Sequence, residues 1–236
     1  MLLFNLDLLT HNPGLFLRTV AAMTLALVVA ITVHEASHAL IATSQGDQTA
    51  RRHGRLSLNP LRHMDPAGTV MLFLVGFGWG RPVPVNPYWL RSGPRIGTAM
   101  VALAGPASNL LTAALVALPV RLGLSVWHNP TSHPAPFTEG TWNWILADVI
   151  GFVVFYNIIL AIFNLIPLAP LDGFKVALGI LPREAARSFA RLEPYGPGIL
   201  MAVLLLSYIP VFNFSLWDVL GPAVRAVSLI VVGRPL

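Results

Sequence analysis

The chain of 236 residues is 55% hydrophobic and only 11% charged, where a soluble domain carries about a quarter charged residues. It has no cysteine, which excludes disulfides and thiolate metal sites and leaves His, Asp and Glu as the available metal ligands. The formal net charge of +5 lies in short loops between apolar runs, the distribution of a protein in a lipid bilayer rather than of one that binds nucleic acid.

Residues 1–19 are moderately apolar and broken by His11-Asn12-Pro13-Gly14. They read as an interfacial segment leading into the first span, or, over residues 2–9, as a small extra helix on the bundle. They lack the basic start and small-residue cleavage site of a removable signal. Residues 16–43 form the first run longer than the roughly 18 apolar residues that suggest a span. Its second half carries His34-Glu35-Ala36-Ser37-His38. Residues four apart on an α-helix sit one above the other, so the two imidazoles project from one face and can share a zinc ion. Glu35, on the next radial position, can then reach a metal-activated water. Ionisable groups at membrane depth are costly and mark function.

A polar loop with Arg51, Arg52, Arg55 and Arg62 ends at His63-Met64-Asp65-Pro66. His63 and Asp65 are read as ordering this loop rather than as ligands. Residues 67–80 are apolar but too short to cross, and are predicted to be re-entrant. Within them, residues 69–75 are β-branched-rich and read as a membrane-dipping strand or hairpin, able to accept an unwound substrate strand by β-addition. Arg81-Pro82-Val83-Pro84-Val85-Asn86-Pro87 must be extended, because its prolines lack donors and stiffen the chain. Residues 96–120 form a second span containing Gly105-Pro106-Ala107-Ser108-Asn109. Small residues there let helices approach closely, and Asn109 is placed to hydrogen-bond across the bundle.

A polar loop over 123–141 leads to a third span, 142–166, opening on Trp142 and Trp144 as an interface belt. That span breaks at Asn164-Leu165-Ile166-Pro167-Leu168-Ala169-Pro170-Leu171-Asp172-Gly173. A short helix runs to about residue 181, followed by a basic amphipathic stretch with Arg183, Arg187 and Arg191 that suits anionic headgroups. Apolar segments over 198–212 and 217–232 close the chain. The fold class is an all-α polytopic membrane protein with about five to six transmembrane helices and a re-entrant β-like element after the first span. It is read as one domain over 1–236, with its core at 19–180 and C-terminal helices at 195–232.

A zinc hydrolase needs three protein ligands and one open position. His11, His53, His63, His128 and His133 fall in loops or at membrane edges. Asp148 lies roughly 24 Å from the break at Asn164, at about 1.5 Å rise per residue. Asp172 adjoins an irregular segment that is tolerated at membrane depth only where it lines a cavity. It is the preferred third ligand, with capping of the following helix as the alternative. The cations of the loops, Arg51 through Arg95 and Lys175 through Arg191, fall on one side, and Arg18 and Arg121 on the other. That asymmetry puts His34, His38 and Asp172 in the cytoplasmic half.

Three separated motifs, His34-Glu35-Ala36-Ser37-His38, Gly105-Pro106-Ala107-Ser108-Asn109, and Asn164 through Pro167 and Pro170 to Leu171-Asp172-Gly173, stand in the order found in the site-2 protease family of intramembrane zinc metalloproteases. The chain resembles that family over about residues 19–180, in its short prokaryotic branch, to which the stretches at 63–66 and 81–87 are also similar. The resemblance implies one zinc ion per chain on His34, His38 and Asp172, and Glu35 as the catalytic acid/base. It implies that Asn164 helps hold the developing oxyanion or the substrate, in a substrate-binding stretch with Pro167 and Pro170. It further implies a transmembrane protein as substrate, cut within or next to its membrane segment, and a place in a bacterial or archaeal cell membrane. Homo-oligomers are compatible with it. Many members carry a PDZ or CBS domain, for which this chain has no room, and Phe174 stands where the family often repeats glycine. The rivals are a metal transporter, which would need repeats and several sites, and a non-catalytic membrane metal-binding protein, against which Glu35 speaks.

Overall fold

A computed structural model describes residues 6–75, 79–130, 141–209 and 215–234. A short helix α1 (Leu6–His11) precedes α2 (Pro13–Ser44), whose first turn is set by Pro13 and by the Asn12 side chain accepting from the Leu15 N–H at 3.0 Å. After α3 (Thr49–Arg52) and α4 (Pro66–Val75), a second long helix, α5 (Gly93–Arg121), and a third, α6 (Thr141–Asn164), complete the central bundle. Then come α7 (Asp172–Ile180), α8 (Arg183–Ala190), α9 (Gly196–Tyr208) and α10 (Leu216–Val232). Among the described residues four helical stretches are long and apolar enough to cross a membrane: Pro13–Ser44, Gly93–Arg121, Ile145–Asn164 and Arg183–Ser207.

The packing is that of a protein solvated by lipid. On α2, Ala22, Ala26, Ala30, Ala39 and Ala42 are among the buried residues, while Leu17, Leu25 and Leu40 face outward. On α5, Ala99, Ala102, Ala113 and Ala117 are buried, and Leu103, Leu111, Leu115 and Leu118 are exposed. Lipid tails are as apolar as leucine, so close backbone approach through small residues drives helix association. α2, α5 and α6 pack pairwise on these faces, α7 lies on α5, and α10 covers α5 and α6. Val224, Val231 and Val232 of α10 close a core with Ala113 and Ala117 of α5 and Val154 and Ile158 of α6.

The strand or hairpin expected over residues 69–75 is instead helical, as part of α4. Pro66 opens that helix, the Asp65 side chain accepts from the Gly68 N–H at 2.9 Å, and the Thr69 hydroxyl donates to the Asp65 carbonyl at 2.6 Å. A helix satisfies its own backbone where a lone strand would find no partner, and that requirement outweighs β-branched propensity. Residues 76–78 of the expected element lie outside the described residues. Its two flanks do meet: Met64 and Gly80 form an isolated antiparallel bridge, and the Arg81 N–H donates to the His63 carbonyl at 2.7 Å. Among the described residues there is no sheet. His63 is fully buried with its Nε2 2.7 Å from the Ser57 carbonyl, so His63 and Asp65 do order this loop.

Asp47 clamps the loop after α2 to the extended segment beyond Arg81. Its carboxylate accepts from the Thr49 hydroxyl at 2.5 Å, the Thr49 N–H at 2.9 Å and the Asn86 N–H at 2.7 Å. Burial pushes this carboxyl up, but those three donors and the Arg52 charge outweigh burial and hold it below its ordinary value. A depressed folded value means stability that is present above the unfolded value and lost as the pH falls through the folded one. Asp47→Ala is expected to cost about 1–3 kcal/mol at neutral pH, read as a lowered thermal midpoint in detergent. The gap between wild type and variant should close as the pH is taken below about 4.

Candidate metal centre

His34 and His38 project from the same face of α2, their ring centroids 4.6 Å apart and their planes nearly perpendicular. Asp172 reaches them from the first position of α7: its Oδ2 lies 3.0 Å from His34 Nε2 and 3.2 Å from His38 Nε2. One ligand atom from each residue falls within 4.8 Å of the others, the two histidines being buried and Asp172 nearly so.

The protonation of the site follows from its hydrogen bonds. His38 Nδ1 is 2.7 Å from the Val101 carbonyl, which can only accept, so Nδ1 carries the proton. His34 Nδ1 is 2.6 Å from Asn109 Oδ1. The Asn109 amide is oriented because its Nδ2 donates to the Ala30 carbonyl at 3.0 Å and to Asn157 Oδ1 at 2.8 Å. Asn157 is oriented in turn by donating to the Val153 carbonyl at 2.8 Å. The chain therefore runs from a main-chain carbonyl of α6 through two buried amides to His34. Both imidazoles turn Nε2 toward the same carboxylate oxygen. Nε2 of both rings and the Asp172 carboxylate thus converge on one point, the arrangement of ligands around a shared cation.

The donor set fits zinc. Nitrogen and oxygen ligands about 2.0–2.1 Å from a tetrahedral ion stand about 3.3 Å from each other, close to the two separations seen here. Each imidazole has its outer nitrogen bound, as ligating histidines do.

Gly105 makes room for this arrangement. A Cβ there would lie 2.6 Å from Cε1 and Nε2 of His34 and 2.6 Å from Cε1 of His38. Gly173 does the same for α7, since its Cβ would come 2.3 and 2.4 Å from the carbonyls of Leu165 and Ile166. The three imidazole partners, Val101, Gly105 and Asn109, all belong to α5, which supplies none of the three ligand atoms.

A cavity of about 310 Å³ opens beside the cluster. His34, His38, Asp172, Glu35 and Asn164 line it, with Pro82, Val83 and Val85 along one wall and Pro170 and Lys175 along another. Glu35 is half-buried and makes no hydrogen bond or ion pair with another described residue. Asn164 donates one amide hydrogen to the Leu160 carbonyl at 3.0 Å, which leaves the second hydrogen and Oδ1 for another group. Pro167 is exposed and lies outside the lining. Asp148 is far from the cluster, held by Arg18 at 3.0 Å and His128 at 2.7 Å. Val101, Asn157 and Lys175 were not foreseen in the sequence. Of these only Asn157 left a signal, as an amide within the apolar middle of its span.

A histidine pair and a carboxylate on apolar helices, beside an uncommitted glutamate and an open cavity, define the class of membrane metallopeptidases. The model of peptidase family M50 matches residues 128–207. YwhC of Bacillus subtilis is 35% identical over 203 residues, covering 84% of this chain and 85% of YwhC. Rip2 of Mycolicibacterium smegmatis is 30% identical over 199 residues, 82% of this chain and 68% of Rip2. Rip2 of Mycobacterium tuberculosis is 28% identical over 206 residues, 85% and 70% of the two chains. These relatives are named as zinc metalloproteases. No solved structure shows a significant match. The chain belongs to peptidase family M50, the site-2 proteases, and is a zinc metalloendopeptidase.

Removing an outer-nitrogen partner of a ligating histidine usually weakens metal binding by about 10–100-fold. Asn109→Leu should do so, measured by titration against a competing chelator. Gly105→Ala should lower zinc content by metal analysis while Ala107→Gly on the same helix leaves it unchanged.

Proposed function

We propose that this chain hydrolyses a peptide bond within or next to a transmembrane segment of a membrane-protein substrate, with one zinc ion held by His34, His38 and Asp172 and with Glu35 as acid and base. The observation that carries the reading is the convergence of two imidazole Nε2 atoms and a carboxylate, 3.0 and 3.2 Å apart, beside a glutamate that no other described residue engages by hydrogen bond or ion pair. The domain acts as one unit over residues 1–236. α10, at 17 residues, supplies a fifth crossing beyond the four stretches named above. α4 is a half-helix that enters and returns on the same side. The loop cations, including Arg51, Arg52, Arg62, Arg81, Arg183 and Arg187, favour an orientation with the cavity toward the cytoplasm.

Zinc in this site supplies Lewis acidity toward a carbonyl oxygen and toward water. Glu35 takes a proton from the attacking water and returns it to the leaving amine. With no hydrogen bond or ion pair to another described residue, both of its carboxylate oxygens are available for that exchange. Asn164 turns its remaining amide hydrogen to the developing oxyanion or to the substrate backbone. Pro170 shapes the wall of the cavity, and Pro167 acts through the bend of the break. The substrate helix must unwind first, since helical carbonyls are already engaged. With residues 69–75 helical, the extended wall around Val83 and Val85 is the part of the cavity that can lie beside an unwound strand.

Glu35→Gln should abolish cleavage of a reconstituted transmembrane substrate and keep zinc at wild-type stoichiometry; cleavage that persists would remove Glu35 from the mechanism. Asp172→Ala should lower bound zinc, and unchanged zinc by metal analysis would exclude it as a ligand.

A further inference from the structure

α7 has nine residues, too few to be stable as an isolated helix. The break at residues 165–171 cuts it off on one side and Pro182 on the other. Yet it presents Asp172 to two imidazoles on a different helix with both separations near 3 Å. Its position along its own axis must come from outside.

The last carbonyls of a helix lack intrahelical partners and form the negative end of its dipole. Here they meet Arg95, in the first turn of α5. Nε donates to the Leu178 carbonyl at 2.7 Å, and Nη2 donates to the Gly179 carbonyl at 3.2 Å and to the Leu181 carbonyl. A guanidinium is a planar fork, so several acceptors held at once fix direction as well as distance. One turn further along α5, Ala99 receives the same end of α7 so closely that a Cβ on Gly179 would lie 2.3 Å from the Ala99 Cβ. Beyond it on α5 come Val101, Gly105 and Asn109, which set the two imidazoles. A single helix thus carries the stops for both halves of the ligand set.

We propose that Arg95 is a positioning residue for the metal site: by holding the final carbonyls of α7 on the start of α5, it sets how far Asp172 reaches toward His34 and His38. The proposal rests on Asp172 being a ligand. α5 supplies a matched control at its other end, where Arg121 donates to the carbonyls of Ile230 at 2.7 Å and Val231 at 3.4 Å. Those carbonyls end α10, a helix that contributes nothing to the cavity.

The test compares wild type, Arg95→Gln, Arg95→Lys, Arg121→Gln and Asp172→Ala, each stripped of metal and reconstituted in phospholipid nanodiscs. Zinc affinity is read by chelator competition and coordination by the visible bands of bound Co²⁺. Arg95→Gln should weaken zinc binding by about 10–100-fold, the range seen for supporting groups around a metal, and shift the cobalt bands. Arg95→Lys, a charge without the fork, should fall between. Arg121→Gln should leave affinity and bands unchanged even where it lowers the thermal midpoint of the metal-free protein. Wild-type binding by Arg95→Gln, or equal loss in both glutamine variants, would overturn the proposal. Wild-type affinity in Asp172→Ala would instead overturn the ligand assignment beneath it. Should Arg95→Gln not accumulate in folded form, Gly179→Ala pushes the same end of α7 off Ala99 with Arg95 intact. It should shift the cobalt bands, and unshifted bands count against the proposal.

Discussion

Everything at this site depends on two hydrogen bonds that point away from it: His34 Nδ1 to Asn109 at 2.6 Å and His38 Nδ1 to the Val101 carbonyl at 2.7 Å. They choose the tautomer, and the tautomer decides whether two imidazoles offer lone pairs or protons to the space between them. With both Nδ1 atoms engaged, each ring in its neutral form offers Nε2 to that space, and with the Asp172 carboxylate the cluster can hold a cation. The bonds are dependable because their far ends are main-chain carbonyls of α2, α5 and α6, which cannot turn round. The amides of Asn109 and Asn157 transmit that certainty through the bundle, with both Asn109 hydrogens and one of Asn157 engaged.

Such polar wiring is affordable in an apolar bundle only because the helices approach so closely. The inward faces of α2 and α5 are rich in alanine, with Gly97 and Gly105 on α5, and most of their exposed large side chains are leucines. In water that pattern would expose the wrong residues; in lipid it costs nothing and brings backbone carbonyls within reach of side chains. Gly105 is the extreme of the same rule. It serves helix packing, and it also leaves the volume in which both imidazoles turn.

Much of this was legible in the sequence. His34, Glu35 and His38 announce themselves by spacing, and Asp172 by its place after a proline-broken span where irregular backbone needs a cavity. The extended run at 81–86 follows from its prolines, while Pro87 opens a short 3-10 turn. Less legible was what depends on distance between helices. The Val101 carbonyl has no side-chain signature at all, and Gly105 looks like an ordinary contact residue until the imidazoles are placed beside it. Residues 69–75 misled because β-branched propensity is a weak preference, while satisfying the backbone in lipid is a strict one, and α4 satisfies it locally. Arg95 was counted among the loop cations that set orientation. Its hydrogen bonds to the end of α7 could not be read without the pairing of α5 with α7.

The division of labour among the helices follows from this geometry. α2 and α7 carry the proposed ligand atoms, yet α7 packs chiefly on α5 and α2 on α5 and α6, rather than on each other. Where ligands come from separate elements, metal binding energy is also the energy of holding those elements together. Binding therefore adds a direct tie across a junction that the protein otherwise makes through a third helix. The more firmly α5 fixes both halves beforehand, the less of that energy is spent on arranging them, and the more appears as affinity. On the proposed ligand set, a helix with no ligand of its own would thereby govern the strength of the site.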